Sequence, residues 1–216
     1  MARRCYGYGR WDAPYWFLGP EQGKGPREAC DNNPRLKAWL NLGATELCDC
    51  REFHRLIGEN AWHEGKPRLQ PTWRLLMLLL MTFLEKPSDN GSLRTYQRDR
   101  WGRVSGGETC VIELSGLAAK SSSVPVDRMP FLQERIEIIR QRIRTYKPKF
   151  VIMYGANEGK HWEQIAGRTL DRESIVKPDL TDLTFVAFTS HPVSHGRRNS
   201  DWKKLGERLR EKSGPS

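Results

Sequence analysis

The sequence lacks the cysteine patterns that mark disulfide frameworks and common zinc sites. Its five cysteines are odd in number and include no C-x-x-C pair, whereas both kinds of site depend on paired or closely spaced cysteines. Cys48 and Cys50 are separated by one residue, and together with Cys30 and Cys110 they match no cluster-ligand spacing. We therefore predict reduced thiols, with no metal and no cofactor.

Long apolar runs are also missing. The longest, "LLMLLLMTFL" from Leu75 to Leu84, is about half the ~20 residues that a transmembrane helix needs. It follows no cleavable signal. These observations predict a soluble, cytoplasmic protein that does not enter a membrane.

Two nucleotide-binding loops are missing as well. The glycines of Gly19-x-x-x-Gly23-x-Gly25 precede no G-K-[ST] ending and lack the dinucleotide spacing, so ATP or GTP hydrolysis and NAD binding are disfavoured. His191 and His195 are four residues apart, but Pro192 prevents them from sharing a helical face as metal ligands.

What the chain has in excess is positive charge. Its 36 Lys and Arg residues against 26 Asp and Glu give a net charge of +10 and a sequence pI of about 9.6. Such values favour a polyanionic partner such as nucleic acid. A basic surface that is only well solvated remains the alternative.

Four short apolar segments predict β-strands that are buried on both faces. They are "PYWFLG", "TCVIELSG", "KFVIMYG" and "LTFVAFTS". Helical segments separate them, which is typical of a parallel sheet covered on both sides. We predict an α/β fold, a three-layer α/β/α sandwich with a central, mostly parallel four-stranded sheet, as one monomeric domain over residues 1–216. The basic segment 1–13 is predicted to be an arm outside the core.

Apolar periodicity and capping residues predict the helices. They cover residues 33–43, 44–58, 70–86, 129–148, 157–167 and 200–212. Thr72 is the expected N-cap of the third, which is apolar nearly all round, and no element is predicted between Pro87 and Gly107. The fourth helix places Arg135, Arg140, Arg142 and Arg144 away from its apolar face.

Four motifs, taken in order, resemble the uracil-DNA glycosylase superfamily. They are "FLGPEQG" after the first strand, "PTWRLL" opening the apolar helix, "KPKFVIMYGAN" as the third strand, and "AFTSHPVSH" after the fourth. The sequence departs from the family at Gln22, where a proline is expected, at Glu113, where the pocket asparagine is expected, and in lacking the cysteine pattern of the iron–sulfur branch.

The resemblance implies roles for residues at the carboxyl ends of the strands, where α/β folds bind their ligands. Glu21 would position the attacking water, and His191 would donate a hydrogen bond to the departing base. The other implied substrate-binding residues are Gly19, Gln22, Gly23, Glu113, Ser115, Asn157 and Ser190. Those implied for DNA binding are Lys24, Ser194, His195, Arg197 and Arg198.

The function that the resemblance implies is a monofunctional DNA glycosylase that flips a modified or damaged base out of double-stranded DNA and leaves an abasic site. Glu113 favours a cytosine derivative, because an ionised carboxylate only accepts hydrogen bonds and cytosine offers an amino group. Hydroxymethylated or glucosylated cytosine of phage DNA is the favoured substrate, with Gly23 and Gly25 leaving room for the substituent.

Several alternatives remain open. A uracil or hypoxanthine repair glycosylase, a catalytically silent sensor of modified DNA and an enzyme acting on free nucleosides would all fit the same motifs. The net charge disfavours the last, because a free nucleoside needs no long cationic surface. The interpretation of Glu113 further depends on the register of its strand, since a shift of one residue turns the side chain to the other face.

Overall fold

The computed structural model describes residues 1–20, 33–116 and 131–214, and within these ranges it contains one seven-stranded sheet. The strands in chain order are Gly7–Gly9 (β1), Tyr15–Gly19 (β2), Leu47–Cys48 (β3), Thr109–Glu113 (β4), Phe150–Tyr154 (β5), Ile175–Val176 (β6) and Phe185–Thr189 (β7). Their spatial order is β3-β1-β4-β2-β5-β7-β6.

The four predicted strands are confirmed as the centre of this sheet. β4, β2, β5 and β7 are adjacent and parallel. The predicted strand number is wrong, however, because β1, β3 and β6 add to the edges, with β1 antiparallel to β4 and β6 antiparallel to β7. Each of these edge strands has only two or three residues, too few to produce an apolar pattern that sequence analysis can detect.

Seven α-helices accompany the sheet in the described residues. They are Pro34–Asn41 (α1), Cys50–Leu56 (α2), Pro71–Phe83 (α3), Asn90–Asp99 (α4), Leu132–Tyr146 (α5), Gly159–Ala166 (α6) and Asn199–Ser213 (α7). The predicted helices correspond to all of these except α4.

Three details of the helix predictions are wrong. The segment 44–58 is not one helix, because it contains β3 before Asp49 caps the N-terminus of α2. Gln70 rather than Thr72 caps α3, its side chain accepting a hydrogen bond from the Trp73 N–H. The polar segment after Pro87 contains α4, whose N-cap is Asp89. Packing against α3 stabilises this helix, which its polar sequence does not indicate.

The N-terminal segment is not an arm outside the core. β1 pairs with both β3 and β4, and Cys5, Tyr6 and Tyr8 are buried. The basic residues of this segment had suggested a solvated tail, but its aromatic side chains are what the sheet buries.

The core has two parts, one on each face of the sheet. On one face Phe17, Val111 and Ile152 pack under α3 and α7. On the other face Trp16, Ile112 and Val151 pack against α5 and α6. The sheet is thus covered on both sides by helices, as the uniformly apolar strands predict.

Helix α3 is the central helix of the first face. Nine of its side chains are buried, which agrees with its prediction as a deeply packed helix. It lies against α7, where a Cβ on Gly206 would approach the Leu79 carbonyl oxygen to 2.5 Å. Gly206 therefore permits the close contact between the two helices. No described helix is long and apolar enough to cross a membrane.

Candidate active site at the carboxyl edge of the sheet

The carboxyl ends of the four central strands meet at one edge of the sheet. Gly19 is the last residue of β2 and pairs with Glu113, the last residue of β4. On the other side, Tyr154 ends β5 and pairs with Thr189 at the end of β7, two residues before His191. This edge is where a parallel α/β sheet usually binds its ligand.

Part of the predicted site lies outside the described residues. This is true of Glu21, Gln22, Gly23 and Lys24, and of Gly25 beside them. The described segment stops at Pro20, whose carbonyl oxygen accepts a hydrogen bond from the Ser115 N–H at 2.8 Å. The roles assigned to these residues remain predictions.

Gly19 provides space for the ring of Tyr154. A Cβ built on Gly19 would lie 2.3 Å from the Tyr154 Oη and 2.5 Å from its Cζ. Ordinary carbon contacts are about 3.5–4.0 Å. The phenol ring therefore lies directly over the backbone of β2, and any larger side chain at position 19 would displace it.

Tyr154 in turn contacts His191. The two ring centroids are 5.5 Å apart with an interplanar angle of 68°, an edge-to-face arrangement that is favourable for aromatic rings. Burial lowers the pKa of His191 below the ordinary value of 6.5, so the imidazole is neutral at pH 7 and keeps one N–H donor. Burial, and then the charge of Glu113, raise the pKa of Tyr154, so the phenol stays protonated.

Glu113 lies on the sheet face that Tyr154 occupies. Val111 and Tyr154 belong to the same core cluster, and side chains alternate along a strand, so Glu113 shares the face of Val111. Its side chain is buried, with 7% of the residue exposed. A carboxylate so placed is close enough for its charge to act on Tyr154.

The main chain around Glu113 is held by Arg135, a fully buried residue of α5. Its guanidinium donates hydrogen bonds to the carbonyl oxygens of Glu113 at 2.7 Å, Leu114 at 2.8 Å, and Ala2 and Cys5 at 2.9 Å each. It also stacks on the ring of Tyr6 at 4.2 Å. The expectation that Arg135 lies away from the buried face of its helix is wrong, because these main-chain acceptors compensate for burying the cation.

The remaining predicted substrate-binding residues occupy different environments. Ser115 is buried, whereas Asn157 is exposed in a turn of 3-10 helix over Ala156–Glu158. Ser190 is buried and its hydroxyl accepts a hydrogen bond from the Arg197 guanidinium at 3.0 Å. Ser190 thus contributes to the structure of the loop that follows β7.

That loop, residues 191–198, presents an exposed tip. The N–H and hydroxyl of Ser194 both donate to the His191 carbonyl oxygen, at 3.0 and 2.7 Å, which forms a tight turn. Val193, Ser194, His195 and Arg198 are exposed. Together they form a surface of polar, basic and apolar side chains beside His191.

Arg197 differs from its neighbours. It forms an ion pair with Glu173 in addition to its bond to Ser190, and only 17% of its side chain is exposed. Its charge is therefore largely satisfied within the protein. Of the two adjacent arginines predicted to bind DNA, Arg198 is the exposed one.

Sequence reasoning did not identify Tyr154, Arg135 or Val193 as site residues. Tyr154 was detectable, because a phenol at the last position of a strand is well placed to reach the ligand edge. Arg135 was not, because nothing in an amphipathic helix distinguishes a buried arginine from its exposed neighbours. Val193 stands out only once its loop is known to leave it 54% exposed.

The described residues also contain one group of side chains that could hold a metal ion, namely Cys50, His54 and His63. None of the three belongs to the strand-end residues described above. The sequence analysis considered cysteines and histidines separately and therefore missed this mixed set.

No model of a known protein family matches the chain, and no curated protein matches it. The resemblance to the uracil-DNA glycosylase superfamily therefore depends on the motifs alone.

Proposed function

We propose that this protein is a DNA glycosylase that hydrolyses the N-glycosidic bond of a modified base, with a modified cytosine as the favoured substrate. One observation carries the proposal: a neutral, half-buried His191 lies against Tyr154 at the sheet edge that also holds Glu113. The site thus offers a hydrogen-bond donor after β7 and an acceptor at the end of β4, on the same edge of the sheet.

The His191 N–H is the kind of donor that a departing base requires. When an N-glycosidic bond breaks, negative charge develops on the base while the sugar becomes oxocarbenium-like. A neutral imidazole N–H can stabilise this charge, provided that the ring is already oriented before the reaction. The edge-to-face contact with Tyr154 restricts the His191 ring, so we assign Tyr154 a positioning role.

The sugar requires the complementary charge. Among the residues of the motif after β2, Glu21 is the carboxylate that would orient a water molecule and stabilise the cation. It follows Pro20 directly at the edge that Gly19 and Glu113 share.

Glu113 supports the choice of base. A buried carboxylate that accepts hydrogen bonds would pair with the N4 amino group of cytosine, whereas the O4 of uracil would face it as a second acceptor. Such a pair of acceptors is costly in a desolvated pocket. Excision of unmodified cytosine would destroy the host genome, which favours a modified cytosine and hence a defence against modified phage DNA.

The loop after β7 supports the DNA partner. Its exposed tip combines an apolar residue, Val193, with the basic Arg198 and the polar Ser194. Proteins that extrude a base often insert an apolar side chain into the stack and hold the flanking phosphates with cations. The net charge of +10 favours such a partner as well.

The test is to offer the protein duplex oligonucleotides that contain uracil, hypoxanthine, 5-hydroxymethylcytosine or glucosylated 5-hydroxymethylcytosine. Abasic sites are scored as alkali-labile breaks. We expect breaks at a modified cytosine with the wild type. With His191→Ala we expect at least about tenfold fewer breaks. His161→Ala is the matched control, because His161 is a partly buried histidine on α6 that pairs with Glu158, the residue just before that helix.

Each other result has a definite meaning. Binding to a modified duplex without breaks would replace the proposed activity with that of a silent sensor. Efficient excision of uracil with no action on any modified cytosine would overturn the role of Glu113 and favour a repair enzyme. Absence of both binding and breaks across the panel would overturn the proposal.

A further inference from the structure

Cys50, His54 and His63 form a buried cluster on the sheet face covered by α3 and α7. Cys50 is the first residue of α2 and His54 lies one turn later, so both side chains project from one face of the helix. His63 directly follows the short 3-10 helix Asn60–Trp62. The helix and the turn after it thus bring one thiol and two imidazoles together.

The distances within the cluster fit a tetrahedral metal ion. The Cys50 Sγ lies 3.6 Å from the His54 Nδ1 and 3.7 Å from the His63 Nε2. With Zn–S of about 2.3 Å and Zn–N of about 2.05 Å, tetrahedral geometry places the sulfur about 3.5 Å from each nitrogen. One ligand atom from each residue lies within 4.8 Å of the others, so a modest approach of the two imidazoles completes the geometry.

The cluster is closed to solvent and its histidines are neutral. Exposure is 0% for Cys50, 5% for His54 and 1% for His63. Burial lowers the pKa of His54 to about 3 and that of His63 to about 4. One thiol and two imidazoles enclosed in this way are the ligand types that zinc prefers.

Glu59 lies beside the ring nitrogen of His54 that would not bind the metal. The His54 Nε2 is 3.9 Å from the Glu59 Oε2, and ligating histidines commonly direct their second nitrogen to such a group. The His54 Nδ1 is also 2.6 Å from the Cys50 carbonyl oxygen, to which an Nδ1–H would donate without a metal. Binding through Nδ1 requires the proton to be on Nε2, facing Glu59, and a small rotation of the ring.

We propose that Cys50, His54 and His63 bind one zinc ion through one sulfur and two nitrogen ligands. The Cys50 thiol loses its proton to solvent on binding, and both imidazoles bind in their neutral form. The ion joins α2 to the segment that leads into α3, and it lies among the rings of Tyr8 and Trp73, which pack on His54 at centroid distances of 5.2 Å. Its role is structural, and it is independent of the proposed activity.

The test begins with the metal content of the purified wild-type chain produced in zinc-supplemented medium. We expect about one zinc per chain. Removal with a chelator should lower the thermal unfolding midpoint by at least about 5 °C. Replacement with cobalt(II) should give the ligand-field bands of a tetrahedral site and a thiolate-to-cobalt charge-transfer band.

Matched variants identify the ligands. Cys50→Ser should abolish the charge-transfer band and reduce zinc content, and His63→Gln should weaken zinc binding at least about tenfold. Cys110→Ser is the control: its thiol is equally buried but belongs to the core cluster on the other face, so metal content and spectrum should match the wild type.

The wild type and the control keep the proposal falsifiable even if Cys50→Ser fails to fold. In the cobalt-substituted wild type and control, a charge-transfer band requires a cysteine ligand other than Cys110. Cobalt bound without that band would exclude thiolate ligation. Less than about 0.1 metal per chain, together with no cobalt spectrum in the wild type, would overturn the proposal and leave a hydrogen-bonded thiol–imidazole cluster.

Discussion

Substitution of Gly19 by Ala tests the packing on which the site depends. The new Cβ would lie 2.3, 2.5 and 2.8 Å from the Oη, Cζ and Cε2 of Tyr154, so the ring must move by about 1 Å or more to restore ordinary contacts. Tyr154 is 3% exposed and has little space to move into. Overpacking of this kind costs about 1–3 kcal/mol.

The expected result is a thermal unfolding midpoint lowered by about 4–8 °C, which corresponds to about 2 kcal/mol in a chain of this size. Base excision should fall as well, because His191 loses the ring that orients it. Gly159→Ala is the matched control, since its Cβ would meet only Phe188 at an ordinary 3.7 Å, and the change should leave stability unchanged or slightly improved.

A double-mutant cycle separates packing from other causes. Tyr154→Phe should not relieve the penalty of Gly19→Ala, because the Cζ would still lie 2.5 Å from the new Cβ. Tyr154→Val removes the ring, so the penalty should nearly vanish in that background. Wild-type stability and excision in the Gly19→Ala protein, or an undiminished penalty when Gly19→Ala is combined with Tyr154→Val, would refute the packing.

Four further predictions address the chemistry and the surface. Excision by single-turnover kinetics should show no transition centred at pH 6.5, because burial lowers the pKa of His191 and moves its titration below that value. A transition of His191 centred at or above 6.5, absent in His191→Ala, would contradict its burial. Glu21→Gln should lower excision at least about tenfold while DNA binding stays near wild type, and a normal rate would remove Glu21 from the mechanism. Arg198→Ala should reduce the slope of DNA affinity against salt concentration by about one charge. Arg197→Ala should leave that slope unchanged and lower stability instead, because Arg197 pairs with Glu173 and Ser190. Equal slopes for both variants would refute the distinction. Arg135→Met should lower the unfolding free energy by at least about 3 kcal/mol in denaturant titrations, because several buried carbonyl oxygens lose their donor, and a smaller loss would show that water replaces the guanidinium.

The central elements of the fold were predictable because their signals are local. Uniformly apolar segments such as Phe150–Tyr154 indicate buried parallel strands, and Asn33 followed by Pro34 marks the start of α1. The strand ends follow from the same segments, so the placement of Gly19, Glu113 and His191 at one edge of the sheet could also be predicted. Those features need only the sequence and the rule that parallel strands end at one edge.

The edges of the sheet were not predictable in this way. β1, β3 and β6 are so short that their pairing depends on neighbouring strands rather than on any periodicity of their own. α4 has a polar sequence that carries little helical preference beyond its cap, and its formation depends on packing against α3. The buried aromatics of the N-terminal segment were hidden by the basic residues around them.

Local composition and chain order are enough to specify the α/β class, the four central strands and the strand-end positions of Gly19, Glu113 and His191. The contacts between side chains and their partners became known only from the folded chain. Folding places Tyr154 over Gly19 and beside His191, pairs Arg197 with Glu173, buries Arg135 among carbonyl oxygens, and brings Cys50, His54 and His63 within ligand distance. Such contacts join residues from different elements, and their energies depend on burial and distance, which a linear sequence does not contain.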